Sequence, residues 1–141
     1  MYELKVVRER RPGYGPASAV RTSAEVYAAF RARFEAADRE EFLALFLDGK
    51  NRVQGFHVVS VGSLTAALVH PREVFKPAIL GNAAAVVLVH NHPSGDLRPS
   101  DEDVAVTRRL VHAAELLGIR VLDHVIVGDG AYASFKEAGL M

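Results

Sequence analysis

His90, Asn91, His92, Pro93, Ser94 and Gly95, followed by Ser100 and Asp103, are the residues of this chain best suited to chemistry. Side chains at i and i+2 of a strand point to one face, so His90 and His92 converge if the chain stays extended through Asn91. Pro93 and Gly95 then turn the chain. Asp103 falls in the first turn of a following helix, with Ser100 three residues earlier on roughly the same side. Two imidazoles, a carboxylate and a water make a tetrahedral metal site of the catalytic kind, in which a bound water reaches a pKa of ~7. Ligand softness favours Zn2+, while Fe2+, Mn2+ and cobalt also accept such ligands.

The elements that must position this set are legible around it. Ala84 to Val89 is an apolar run of buried-strand type, ending at the cluster. Ser100 suits the N-cap of a helix reaching about Leu117, with Gly118 as its C-cap. Upstream, Thr22 and Glu25 form a capping-box pattern opening a helix to about Ala37, with Val26, Phe30 and Phe34 on one side. Glu41 to Leu47 reads as a strand, Asp48-Gly49-Lys50-Asn51 as a hairpin turn and Arg52 to Val61 as the returning strand. In that strand Val53, Gly55, His57, Val59 and Val61 are expected on one face. Pro71 opens a helix to about Leu80, closed by Gly81 and Asn82. Val121 to Val127 is a further strand, with Ala131 to Phe135 returning after Gly128-Asp129-Gly130. Tyr2 to Val7 reads as a short strand and Arg10 to Ala19 as a loop. Ser63 to Val69 is ambiguous between strand and loop. Interspersed strands and helices predict an α/β layered domain with a mixed sheet.

The chain has 141 residues, half of them apolar, which suits one domain with a real core. Lys plus Arg total 17 and Asp plus Glu total 17. This balance argues against life on a phosphate backbone, which favours a basic face. With no cysteine, thiolate nucleophiles and thiolate metal sites are excluded, and a cytoplasmic protein is expected. No apolar stretch approaches the ~20 residues of a membrane span, and the charged first residues do not read as a secretion signal.

His90, His92, Ser100 and Asp103 reproduce, without a gap, the pattern of the JAMM (MPN-plus) metalloproteases: H-x-H, seven residues, S, two residues, D. The flanking text resembles the bacterial RadC branch. The matching pieces are His90 to Gly95, Pro99-Ser100, Pro71-Arg72-Glu73-Val74, Leu122-Asp123-His124 and the closing Ser134 to Leu140. The resemblance covers roughly residues 39 to 141. It implies a single MPN (JAMM, cytidine-deaminase-like) α/β domain over 1–141, a mixed sheet flanked by helices, with 1–38 supplying an N-terminal strand, loop and helix and 39–141 the motif-bearing core.

The resemblance also implies a glutamate acting as general acid/base. The family's E-x-F-x-x-x-F-L-D run places it at Glu40, with Glu41 the alternative one residue on. It implies a zinc metallopeptidase or isopeptidase in which Glu40 moves the proton from water to the leaving amine and Ser100 donates to the oxyanion. RadC proteins usually carry an N-terminal helix-hairpin-helix region, and residues 1 to about 38 are too short to hold it. Asn91 stands where the deubiquitinating branch has Ser or Thr, which argues against ubiquitin-like substrates.

Blander readings stand beside these. Ser100 is fully explained as a helix cap, and Asp103 alone as an acidic residue favoured at a helix N-terminus. Ser94 and Gly95 read as turn formers, with substrate contact by Ser94 the lesser reading. For Asp123-His124, buried structural hydrogen bonding is favoured over a role behind the metal ligands. His57, His70 and His112 match no ligand spacing. Lys5, Arg8, Arg10 and Arg11 read as a solvated segment, because Glu3 and Glu9 interrupt them. The expected partner is a peptide or protein substrate. A nucleic-acid-associated protein or metal-dependent nuclease is the alternative, and a ligand-free scaffold a third. The Tyr2 to Val7 edge could pair between chains as a homodimer.

Overall fold

The computed structural model describes residues 1–3, 5, 7, 9, 19–62 and 69–141. It is a three-layer α/β arrangement. The elements, in chain order, are α1 (Ser23–Glu35), β1 (Glu41–Leu47), β2 (Val53–Val61), α2 (Pro71–Leu80), β3 (Ala85–Asn91), α3 (Asp101–Leu117), β4 (Arg120–Val127) and β5 (Tyr132–Ser134). They form one five-stranded sheet in the order β2-β1-β3-β4-β5. Among the described residues only β3 and β4 pair in parallel, and α3 makes the crossover between them. The other three pairings are antiparallel. The mixed α/β sheet flanked by helices is as expected.

Period-2 alternation distributes the core between the two faces. Leu43, Leu45 and Leu47 of β1 join Ala85, Val87 and Val89 of β3 beneath Val26, Phe30 and Phe34 of α1. Phe42, Ala44, Phe46, Val86 and Leu88 turn the other way and pack against Val74, Phe75 and Ala78 of α2 and Val106, Leu110 and Ala114 of α3. Strands β1 and β3, buried on both faces, therefore read as nearly continuous apolar runs.

The helix boundaries follow from their caps. The Thr22/Glu25 capping box is formed, Gly118 takes the left-handed conformation at φ 69°, and Asn82 does so at φ 55° just past α2. His70, unassigned in the sequence, caps α2 by accepting from the Arg72 N–H at its Nδ1. The hairpin turn also forms. The Asp48 carboxylate accepts from the N–H groups of Lys50 and Arg52 and from the Arg52 guanidinium, which holds its pKa below the ordinary value.

The single face expected for Val53, Gly55, His57, Val59 and Val61 of β2 does not hold. The register against β1 slips at Gln54 and at Val59, each a bulge that places two residues opposite one. Val53 therefore packs with Phe56 and Val58 on the α1 face, while Val59 turns to the opposite layer. Of the strand expected at Tyr2 to Val7, the described Tyr2, Glu3, Lys5 and Val7 are exposed and carry no strand. Leu4, Val6, the loop at 10–18 and the ambiguous 63–68 lie outside the described residues. Ala19, described, bridges Arg52.

Candidate metal centre

Strand β3 stays extended through Asn91, the condition His90 and His92 needed to share a face. Both point to the α3 side of the sheet, His90 fully buried and His92 at the rim. Strand β1 runs antiparallel to β3 with Phe42 opposite His90. Two residues further along that register, Glu40 comes opposite His92. Helix α3 supplies the third element. A crossover helix after a parallel strand begins near that strand's C-terminal end, so the first turn of α3 stands over the two histidines.

Glu40, His90, His92 and Asp103 form one cluster, each offering a ligand atom, with these atoms all within 4.8 Å of one another. The two Nε2 atoms are 2.9 Å apart. His90 Nε2 lies 3.3 Å from Asp103 Oδ1, and His92 Nε2 lies 3.2 Å from Asp103 Oδ2. Donors held tetrahedrally at 2.0–2.1 Å from a zinc-sized ion are separated by about 3.3 Å, so these three side chains fit such a group. Glu40 Oε1 stands slightly further off, 3.7 Å from His90 Nε2 and 3.9 Å from His92 Nε2. The glutamate beside it goes elsewhere: Glu41 turns to the opposite face and pairs with Arg33 of α1 at 2.9 Å.

Each member is held by partners outside the cluster. A backbone carbonyl can only accept, so the 2.5 Å contact of His92 Nδ1 with the Asp96 carbonyl puts a proton on Nδ1, and the neutral ring keeps its lone pair on Nε2. The loop presenting that carbonyl is itself tied. The Asp96 carboxylate accepts from the Arg98 guanidinium and backbone, which lowers its pKa to about 2. Ser94 serves the same turn by accepting from the Asp96 N–H, and Gly95 takes φ 81°.

Ser100 and Asp103 form a reciprocal capping box. Asp103 N–H donates to Ser100 Oγ, and Ser100 N–H donates to Asp103 Oδ2. Ser100 Oγ is an acceptor in this cap, so its hydroxyl proton is left to donate toward the cleft it lines. Burial opposes ionisation of Asp103, but hydrogen bonds to His90 and His92 prevail and hold its carboxyl far below the usual carboxylate range. The same bond to Asp103 raises the pKa of His92.

One contribution was not read from the sequence. The Asn91 side chain points away from the histidines and accepts from the Glu41 N–H (2.7 Å) while donating to the Arg39 carbonyl (3.1 Å). It thereby grips the backbone on both sides of Glu40. His124, for which the sequence favours buried structural hydrogen bonding over a role behind the metal ligands, lies directly behind the cluster with Nε2 2.6 Å from His90 Nδ1. Its Nδ1 in turn meets Thr107 Oγ1 at 2.5 Å. The LDH text singled out His124, but only the parallel register of β3 and β4, Leu88 opposite His124, puts it on the His90 face. His57, His70 and His112 are not in the cluster.

Above the cluster an open cleft of about 400 Å³ runs from Glu40 and His92 past Pro93 and Ser94 to Ser100 and Glu102. Among the described residues no helix is long and apolar enough to cross a membrane.

Residues 20–140 match the RadC-like JAB domain family. The chain is 55% identical over 117 residues to UPF0758 protein GSU0386 of Geobacter sulfurreducens, covering 83% of this chain and 51% of that protein. A UPF0758 protein of Methanosarcina acetivorans is 52% identical over 117 residues, 83% of this chain and 51% of that one. A third, from Pelobacter propionicus, is 61% identical over 103 residues, 73% of this chain and 45% of that one. The chain thus spans about half the length of the curated relatives it matches. With the matched span covering nearly the whole chain, the protein belongs to the RadC-like JAB domain family.

Proposed function

We infer that the protein is a metal-dependent hydrolase of amide bonds, a peptidase or isopeptidase that uses zinc. The observation that carries this reading is the convergence of four side chains from three separate elements, in which His90, His92 and Asp103 each offer a ligand atom and Glu40 stands just outside them. Those three residues would hold the ion. When bound, such an ion polarises a carbonyl and brings a water to a pKa of ~7.

The remaining work falls to the chain's own groups. Glu40, on the open side of the cluster and a quarter exposed, takes a proton from the attacking water and returns it to the departing amine. Ser100 donates its hydroxyl hydrogen to the carbonyl oxygen as negative charge develops there. The cleft along Pro93, Ser94 and Glu102 receives the substrate chain.

The test starts from metal content. Protein reconstituted with zinc should hold one ion per chain by elemental analysis, and a clearly substoichiometric content with zinc, iron, manganese and cobalt alike would sink the reading. His92→Ala should lose the ion. Glu40→Gln should keep it and lose hydrolysis of a peptide and isopeptide substrate panel by at least the ~100-fold typical of a lost general acid/base.

A further inference from the structure

We propose that His124 and Thr107 are positioning residues that hold His90 with its proton on Nδ1 and tie that tautomer to the helical turn carrying Asp103. This inference rests on the metal-centre reading above. It starts from three polar side chains buried in an otherwise apolar layer. His90 and His124 are fully buried and Thr107 is 2% exposed, among Phe42, Leu88, Val106 and Leu110. Burying such groups is unfavourable unless they are paired, and here they are paired with one another in a single file.

The direction of the file follows from its far end. Thr107 Oγ1 lies 2.8 Å from the Asp103 carbonyl, which can only accept, so the hydroxyl proton is committed to it. Thr107 Oγ1 must then accept from His124 Nδ1–H across 2.5 Å. A neutral His124 with its proton on Nδ1 has a bare Nε2, which accepts from His90 Nδ1–H across 2.6 Å. His90 Nε2 is left as a lone pair facing His92 and Asp103, the form a metal ligand requires. The opposite ordering would put a proton on that nitrogen. Phe42 and Phe135 flank the His124 ring, the latter stacked at 4.4 Å, so the ring has little freedom to turn away.

Both ends of the file are metal-ligand residues: the His90 imidazole at one end, the Asp103 backbone at the other. Thr107 sits one turn below Asp103 on the same helix face, so sheet and helix are coupled through hydrogen bonds as well as through packing. A threonine hydroxyl bonded to the carbonyl four residues back slightly disfavours a helix, which is a cost without return if the file only fills space.

The experiment measures zinc affinity by competition with a chromophoric chelator, alongside the melting temperature of the metal-free protein and the absorption spectrum of the cobalt form. Thr107→Val keeps the shape and removes the hydroxyl. His124→Phe keeps the ring packing and removes the acceptor. Each should weaken zinc binding by about 10–100-fold, the scale of residues behind metal ligands, and shift the cobalt spectrum. Thr107→Ser, and His124→Gln, whose amide oxygen can stand where Nε2 stands, should recover most of the loss. Unchanged zinc affinity in Thr107→Val, with only a lower melting temperature, would overturn the proposal. So would a loss that Thr107→Ser does not recover, which marks a packing defect. Should the unsubstituted protein take up no metal, the reading of the centre itself falls, and this one with it.

Discussion

At the scale of single residues, the two adjacent glutamates have separate fates. Glu40 faces the histidines and Glu41 faces Arg33 because successive strand residues point to opposite faces. Glu41→Gln should therefore leave zinc content unchanged and cost no more than ~1 kcal/mol, the scale of a partly exposed ion pair, measured by denaturant unfolding. Asn91 acts differently. Its amide makes two bonds to backbone groups flanking Glu40. Asn91→Leu should remove the partner of a part-buried N–H and a part-buried carbonyl, costing on the order of 1 kcal/mol for each bond lost. Zinc content should remain while turnover falls, since the residue displaced is Glu40 rather than a ligand. Zinc lost in proportion to turnover would contradict this assignment.

At the scale of elements, the loop between β3 and α3 decides how well His92 is held. The loop packs on the β4–β5 turn at Gly128, where a Cβ would meet Leu97 Cδ2 at 2.6 Å and the Gly95 carbonyl oxygen at 3.1 Å. Gly128→Ala should displace the Leu97 side chain and press on the Gly95 carbonyl, with an overpacking cost of up to roughly 1–3 kcal/mol and weaker zinc binding as the strain reaches the Asp96 carbonyl that holds His92. Adding Leu97→Ala should relieve the part due to the side chain. Zinc affinity unaltered in Gly128→Ala would mean that the loop is not what orients His92. Helix α3 shows how one element carries two jobs. Its buried stripe runs Asp103, Val106, Thr107, Leu110, Ala114, apolar where it covers the sheet and polar where it reaches the histidines.

At the scale of the whole molecule, the chain's last segment closes behind the site. Asp123 accepts from Ser134 Oγ at 2.6 Å and from the Lys136 N–H at 3.0 Å, and Phe135 lies on the His124 ring. Phe135→Ala should cost ~3–5 kcal/mol, as for other buried phenylalanines, and should weaken zinc binding as well, because the His124 ring loses its wall. The balanced charge of 17 basic and 17 acidic side chains has its own consequence. Fluorescence anisotropy with duplex DNA should give binding no tighter than ~10⁻⁴ M at physiological salt, the weak end of non-specific binders. Tight, salt-sensitive binding would favour the nucleic-acid alternative.

Much of this is legible in the sequence alone. Helix ends at Thr22, Ser100 and Gly118 are written in short-range hydrogen bonding and φ preference, so local text suffices. The strands β1 and β3 announce themselves because burial on both faces demands an apolar run. The His-x-His spacing and the Ser100–Asp103 interval are one strand repeat and one helical turn, again local. The two bulges of β2 were not legible, because a slip in register is decided by the partner strand and leaves no mark on a sequence of mixed polarity. Nor were the partners of the cluster. The Asn91 grip on Arg39 and Glu41 spans about fifty residues, and the pairing of His124 with His90 spans thirty-four. Periodicity reports which face a side chain takes within its own element. Which side chain stands opposite is fixed only when strands are set in register and a helix is laid across them, and that is where the local clusters became a single site.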